Sequence, residues 1–165
     1  MLAEIYTKQR DYNSAVSTYN SIIELDPDRA SAYLELGNVY VNMRKWNEAI
    51  PALEKAVELN PRETRSYYFI GRAYEEQKNF AKAVDAYKKF AESDPENPED
   101  VYLRLGLAQM EAEDYTGAIS SLEKAVANNP QEDSIKYKLA QAYREAQQYE
   151  NAEKTYKELA EANPD

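Results

Sequence analysis

The chain has no cysteine and no histidine among its 165 residues. That absence removes disulfides, thiol nucleophiles, imidazole bases and the commonest zinc sites together. Glycine is scarce at four residues. Gly37, Gly71 and Gly106 stand singly at packing positions, Gly117 is a lone stray, and no phosphate-cradling loop is formed. No apolar run is long enough for a membrane span, and Met1 opens an amphipathic stretch rather than a signal sequence. Basic residues are in the minority: 20 Lys and Arg face 30 Asp and Glu, a net charge of −10. This argues against a general nucleic-acid binder, because phosphate neutralisation supplies most of such affinity. Paired carboxylates, Glu75 with Glu76 and Glu99 with Asp100, fall on helix surfaces where solvation is the expected role, and no convergent Ser or Lys cluster suggests chemistry. The expectation is a protein that is not an enzyme and needs no cofactor or metal. Absence of cysteine does not locate it in any compartment.

What the chain does contain is a period. Pro27, Pro61, Pro95, Pro130 and Pro164 recur at steps of 34, 34, 35 and 34 residues, and Ala15, Ala49, Ala83, Ala118 and Ala152 recur at the same steps. Twelve residues before each alanine stands a small residue: Ala3, Gly37, Gly71, Gly106 or Ala140. Three before it stands an aromatic: Tyr12, Trp46, Phe80, Tyr115 or Tyr149. Nine before it the series reads Tyr6, Tyr40, Tyr74, Gln109, Tyr143. A unit this short cannot bury its own apolar face and must stack on similar neighbours.

Within one unit, Tyr33, Leu36, Gly37 and Tyr40 fall at i, i+3, i+4 and i+7, one stripe of an α-helix, and a second stripe runs from Trp46 through Ala49, Leu53 and Ala56. Arg44 to Asn47 reads as the tight turn between them, and Asn60-Pro61 ends the unit because proline lacks an N–H and disfavours α conformation before it. Small residues where the helices cross, such as Gly71 against Ala83, let the backbones approach. The segment from Ala32 to Pro61 resembles the tetratricopeptide repeat family, and the resemblance recurs in every unit. It implies an all-α, right-handed α-solenoid of antiparallel helix pairs. The expected organisation is one array over 1–165, with a truncated unit at 1–29 and further units at 30–63, 64–97, 99–132 and 133–165, Pro98 being inserted. Gln109, where other units have tyrosine, is expected to weaken the junction beside Pro98.

The resemblance also implies a concave wall of first helices. Mapped residue by residue, that wall carries Leu34 and Asn38, then Arg65, Tyr68, Phe69 and Arg72, then Leu103, Arg104 and Leu107, and finally Tyr137, Lys138 and Arg144. Tyr68 and Tyr137 lie outside the positions where the repeat packs bulky groups, so they read as surplus to packing. Aromatic, aliphatic and basic side chains together suit an extended peptide segment with apolar and acidic residues. The expected function is a protein-interaction scaffold within a larger protein. The alternatives are an assembly module that associates weakly end to end, or the regulatory arm of an enzyme. The clamp by which some members grip acidic chaperone tails is absent: of Leu34, Asn38, Phe69, Asp100 and Arg104, only Asn38 and Arg104 match it.

Overall fold

A computed structural model describes residues 2–93 and 101–162. Pro95, Pro98, Glu99, Asp100 and Pro164 lie outside the described residues, as does Met1. Among the described residues the chain forms ten helices and no strand. They are α1 (Leu2–Lys8), α2 (Tyr12–Leu25), α3 (Ala30–Asn42), α4 (Trp46–Leu59), α5 (Arg65–Glu76), α6 (Phe80–Ser93), α7 (Val101–Glu111), α8 (Tyr115–Asn128), α9 (Asp133–Glu145) and α10 (Tyr149–Ala162). The fold is all-α, of the solenoid class, with helices stacked in pairs.

The chain divides into two compact units, 1–93 and 94–165. In the first, each helix from α1 to α6 packs on the next, and α3 also packs directly on α5. In the second, α7 to α10 repeat that order, with α7 against α9. Each unit therefore sets first helices side by side.

Every turn inside a pair closes by the same device. Arg10, Arg44, Lys78, Glu113 and Gln147 adopt left-handed φ values between 57° and 61°. In the α3–α4 turn, the Arg44 N–H donates to the Val41 carbonyl at 3.0 Å and the Lys45 N–H to the Tyr40 carbonyl at 2.9 Å. This paired closure satisfies the last carbonyls of the helix and is usually made with glycine. Here the turn occupies Met43 to Lys45, and Trp46 is already helical. The sequence expectation of a turn over Arg44 to Asn47 thus starts and ends late. Asp11 and Asp114 start α2 and α8 by accepting the backbone N–H of Ser14 and Gly117 at 3.3 and 3.0 Å.

The crossing glycines make room for a particular neighbour. A Cβ placed on Gly37 would lie 2.5 Å from Leu53 and 3.3 Å from the Ala49 carbonyl oxygen; one on Gly71 would lie 2.5 Å from the Tyr87 ring; one on Gly106, 2.6 Å from Leu122. The side chain four residues beyond the recurrent alanine is what presses against the glycine, with the alanine backbone behind it. Cores form around these crossings. Leu34, Leu53, Ala56 and Ile70 share one cluster, Ala3, Ala15, Tyr19 and Val39 another, and Leu122, Ile135 and Leu139 a third.

Candidate functional site

On α5, Arg65, Tyr68 and Arg72 fall at i, i+3 and i+7 and make one surface stripe. Arg65 is exposed and reaches two carboxylates, Glu63 at 3.3 Å and Glu35 of α3 at 3.9 Å. Arg72 is half-buried and has no hydrogen bond or ion pair among the described residues. Asn38 of α3 is half-buried and accepts a long hydrogen bond from Asn42 at 3.4 Å.

Tyr68 is not surplus to packing, which corrects the reading from sequence. Its ring lies 5.6 Å from Phe69 edge-on, 5.7 Å from Phe90 and 6.1 Å from Tyr87. Tyr137 repeats the arrangement on α9, 5.7 Å from Tyr156, while staying 48% exposed. Leu34 needs a fuller correction: with 0% of its surface exposed it belongs to the core and offers nothing to a ligand. Phe69 and Leu103 are intermediate, each half-buried and packed against a core cluster. These placements follow one rule. From α3 onward, the residue three before the crossing glycine or alanine matches the residue sixteen after it: Leu34 with Leu53, Tyr68 with Tyr87, Leu103 with Leu122, Tyr137 with Tyr156. That pairing across nineteen residues was the signal in the sequence that the two tyrosines serve the pair's interior as well as its surface.

In the second unit, Arg104 on α7 is half-buried, and Lys138 on α9 donates to Gln141 Oε1 at 3.3 Å. Arg144 is exposed and engaged by Glu145 at 2.6 Å, which raises its pKa by hydrogen bonding and charge. The candidate residues thus form two sets, one on α3 and α5, the other on α7 and α9.

Three polar groups are more deeply committed than the sequence suggests. Glu75 accepts the hydroxyl of the fully buried Tyr87 at 2.6 Å, so it is not simply a solvated carboxylate. Tyr143 donates to Glu123 of α8 at 2.7 Å; burial first, and then that bond, pushes its pKa up to about 12. Gln109 is buried at 3% exposure and fully engaged. Its Nε2 donates to Asp114 Oδ2 at 3.1 Å and its Oε1 accepts from the buried Ser121 hydroxyl at 2.6 Å. Gly117 belongs to this network: a Cβ there would collide with Gln109 Nε2 and Asp114 Oδ2. The stray glycine is what lets the amide lie down.

Charge is divided unequally. Residues 1–93 carry 13 Lys and Arg against 14 Asp and Glu, and residues 94–165 carry 7 against 16. Nearly the whole net charge lies in the second unit. No group of acidic residues suited to a metal ion occurs among the described residues, and no described helix is long and apolar enough to cross a membrane.

Tetratricopeptide repeat profiles match residues 34–98 and 109–165, and a TPR repeat profile matches residues 3–43. Among curated proteins no sequence match was found. Among solved structures, the chain is similar to MamA, with a TM-score of 0.87, 24% identity and coverage of 98% of this chain and 94% of that one. It is also similar to MamA from Desulfovibrio magneticus RS-1, with a TM-score of 0.85, 17% identity and coverage of 97% and 90%. A further similar structure is YrrB, described as a TPR protein with an unusual peptide-binding site, with a TM-score of 0.84, 21% identity and coverage of 99% and 84%.

Proposed function

Because this chain belongs to the tetratricopeptide repeat family, we propose that it is a protein-interaction scaffold that holds an extended partner segment against its first helices. The observation that carries the proposal is the Arg65, Tyr68, Arg72 stripe on α5. It joins one aromatic ring, Tyr68, packed against Phe69, Tyr87 and Phe90, to a guanidinium, on Arg72, that has no partner of its own among the described residues. A packed aromatic ring beside a fork of N–H donors suits a segment with apolar and acidic side chains. Asn38 lies on the adjoining helix. Leu103, Arg104, Tyr137 and Lys138 offer similar chemistry on α7 and α9, where the half-exposed Tyr137 is the aromatic contact. That YrrB is described as peptide-binding agrees with this reading.

The test is a peptide-display selection on the whole chain, followed by affinity measurement with Arg72→Ala, Arg104→Ala and Tyr137→Ala. Tyr137→Ala is expected to weaken binding by about 1–2 kcal/mol if the ring is a contact. Replacing an arginine at the rim mainly slows association and flattens its salt dependence. A triple variant that keeps its helical content and binds the same peptides as tightly overturns the assignment.

A second reading, weak self-association through the ends, has its own observation. Leu2 and Ile5 on α1 are 56% and 51% exposed, and Tyr149 on α10 is 64% exposed although Tyr12, Trp46, Phe80 and Tyr115 at the same place are half-buried. Sedimentation at increasing concentration, with and without a polar helix appended, separates this from a monomeric scaffold.

A further inference from the structure

The other face of α5 carries a separate feature. At about 100° per residue, Tyr67, Ile70 and Tyr74 are centred about 160° round the helix from Arg65, Tyr68 and Arg72. They floor a slot of about 320 Å³ walled by Glu54 and Val57 of α4 and by Lys82, Asp85 and Lys89 of α6. The volume suits one or two side chains. Lys82 Nζ lies 5.1 Å from the Tyr74 ring centre and Lys89 Nζ 5.5 Å from that of Tyr67. Each ammonium is held over an aromatic face, and neither has a carboxylate partner among the described residues.

The two lysines are seven residues apart on α6, about 10 Å, and stand at the two ends of the slot. Between them on α6 stands Asp85, and Glu54 lines the slot from α4. The two ammoniums without carboxylate partners favour an anionic group at each end of the slot. The slot's own charged lining is two lysines and two carboxylates, so the positions of the charges rather than their sum select the ligand. An apolar floor with cations at its ends and the Asp85 carboxylate between them fits one ligand pattern. It is a helical segment with carboxylates seven residues apart, one to each lysine, and apolar side chains three and four places after the first, pointing into the slot.

We propose that this slot is a second binding site, independent of the α5 stripe on the opposite face, for an amphipathic partner helix with apolar residues flanked by two carboxylates. Its specificity comes from charge placement as much as from charge sign. A segment with a carboxylate in the middle meets Asp85 and is rejected.

The experiment uses the whole chain and a fluorescent alanine-based helical peptide carrying glutamates seven residues apart with Leu and Phe between them. The comparison peptide has lysines in place of the glutamates. The expected result is saturable binding of the glutamate peptide with NMR shift changes at Tyr67, Ile70 and Tyr74. Lys82→Glu/Lys89→Glu, at exposed positions, should weaken it by about tenfold or more and confer binding of the lysine peptide. Arg72→Ala should leave the affinity unchanged. Absence of binding at millimolar peptide, equal binding of both peptides by the wild-type chain, insensitivity to the lysine reversal, or shift changes centred on Tyr68 and Arg72 would each overturn the proposal.

Discussion

In the α5–α6 pair the residue four before the left-handed turn is Tyr74, whose ring lies under the Lys82 ammonium at 5.1 Å. In the α7–α8 pair the same place is taken by Gln109, buried and bonded to Asp114 and Ser121, and the place of Lys82 is taken by Gly117. The backbone is indifferent to the exchange. The carbonyls of Tyr74 and Gln109 both accept the N–H of the residue just before the second helix, from Asn79 and Asp114, each at 2.8 Å. Their side chains obey different local rules: a ring accepts a long cation above it, whereas a buried amide needs a donor, an acceptor and a neighbour without a Cβ. The difference shows that the repeat fixes carbonyl positions and crossing distances, and leaves the chemistry beside them to sets of residues that change together.

If crossing distance is the shared constraint, the same enlargement should damage both pairs. Gly71→Val and Gly106→Val are each expected to destabilise by overpacking, by about 2–3 kcal/mol. Gly71→Val should be the worse, since the rigid, fully buried ring of Tyr87 has less room to retreat than Leu122. Denaturant midpoints decide it; an unchanged midpoint in either variant would separate the two crossings.

The sharper contrast lies in two buried serines. Ser121 donates to Gln109, so Ser121→Ala strands a buried amide oxygen and should cost about 1–3 kcal/mol, while Gln109→Leu combined with Ser121→Ala should recover most of it. Ser66 of α5 is equally buried but has no hydrogen-bond partner among the described residues. Ser66→Ala should therefore stabilise, by about 1 kcal/mol. One substitution with opposite signs in two pairs can be checked by thermal melts, and a loss for Ser66→Ala would mean that its hydroxyl finds a partner in solution.

The helices, their pairing and the small crossing residues were legible because each rests on a period that apolar side chains and prolines print directly. The turns were legible only roughly. A left-handed residue normally announces itself as glycine, and here the position holds Arg10, Arg44, Lys78, Glu113 and Gln147. At the candidate site, helix-face arithmetic placed Arg72 and Tyr137 on the surface but could not weigh how far Leu34 sinks into the core, because depth depends on neighbours in other helices. Tyr68 and Tyr137 looked unused when each helix was read singly; their partners Tyr87 and Tyr156 sit on the second helix of the pair.

Those turns supply the finest comparison. Lys78 and Glu113 hold nearly equal φ values, 57° and 61°, so replacing either with glycine removes the same left-handed strain. That strain is worth roughly 1–2 kcal/mol, of which glycine returns about 0.5–1 through its freer unfolded chain. The charges then separate the two positions. Both lie just past a helix C-terminus, where a cation is favoured and an anion disfavoured by about 0.3–1 kcal/mol. Glu113→Gly should therefore stabilise by about 1 kcal/mol and Lys78→Gly by about half of that or less. High salt should narrow the gap by screening the charge contribution while leaving the strain contribution intact. Chemical denaturation with urea in low and high salt measures both. Equal gains in low salt would assign the whole effect to backbone strain, and a larger gain at Lys78 would contradict the dipole argument for these turns.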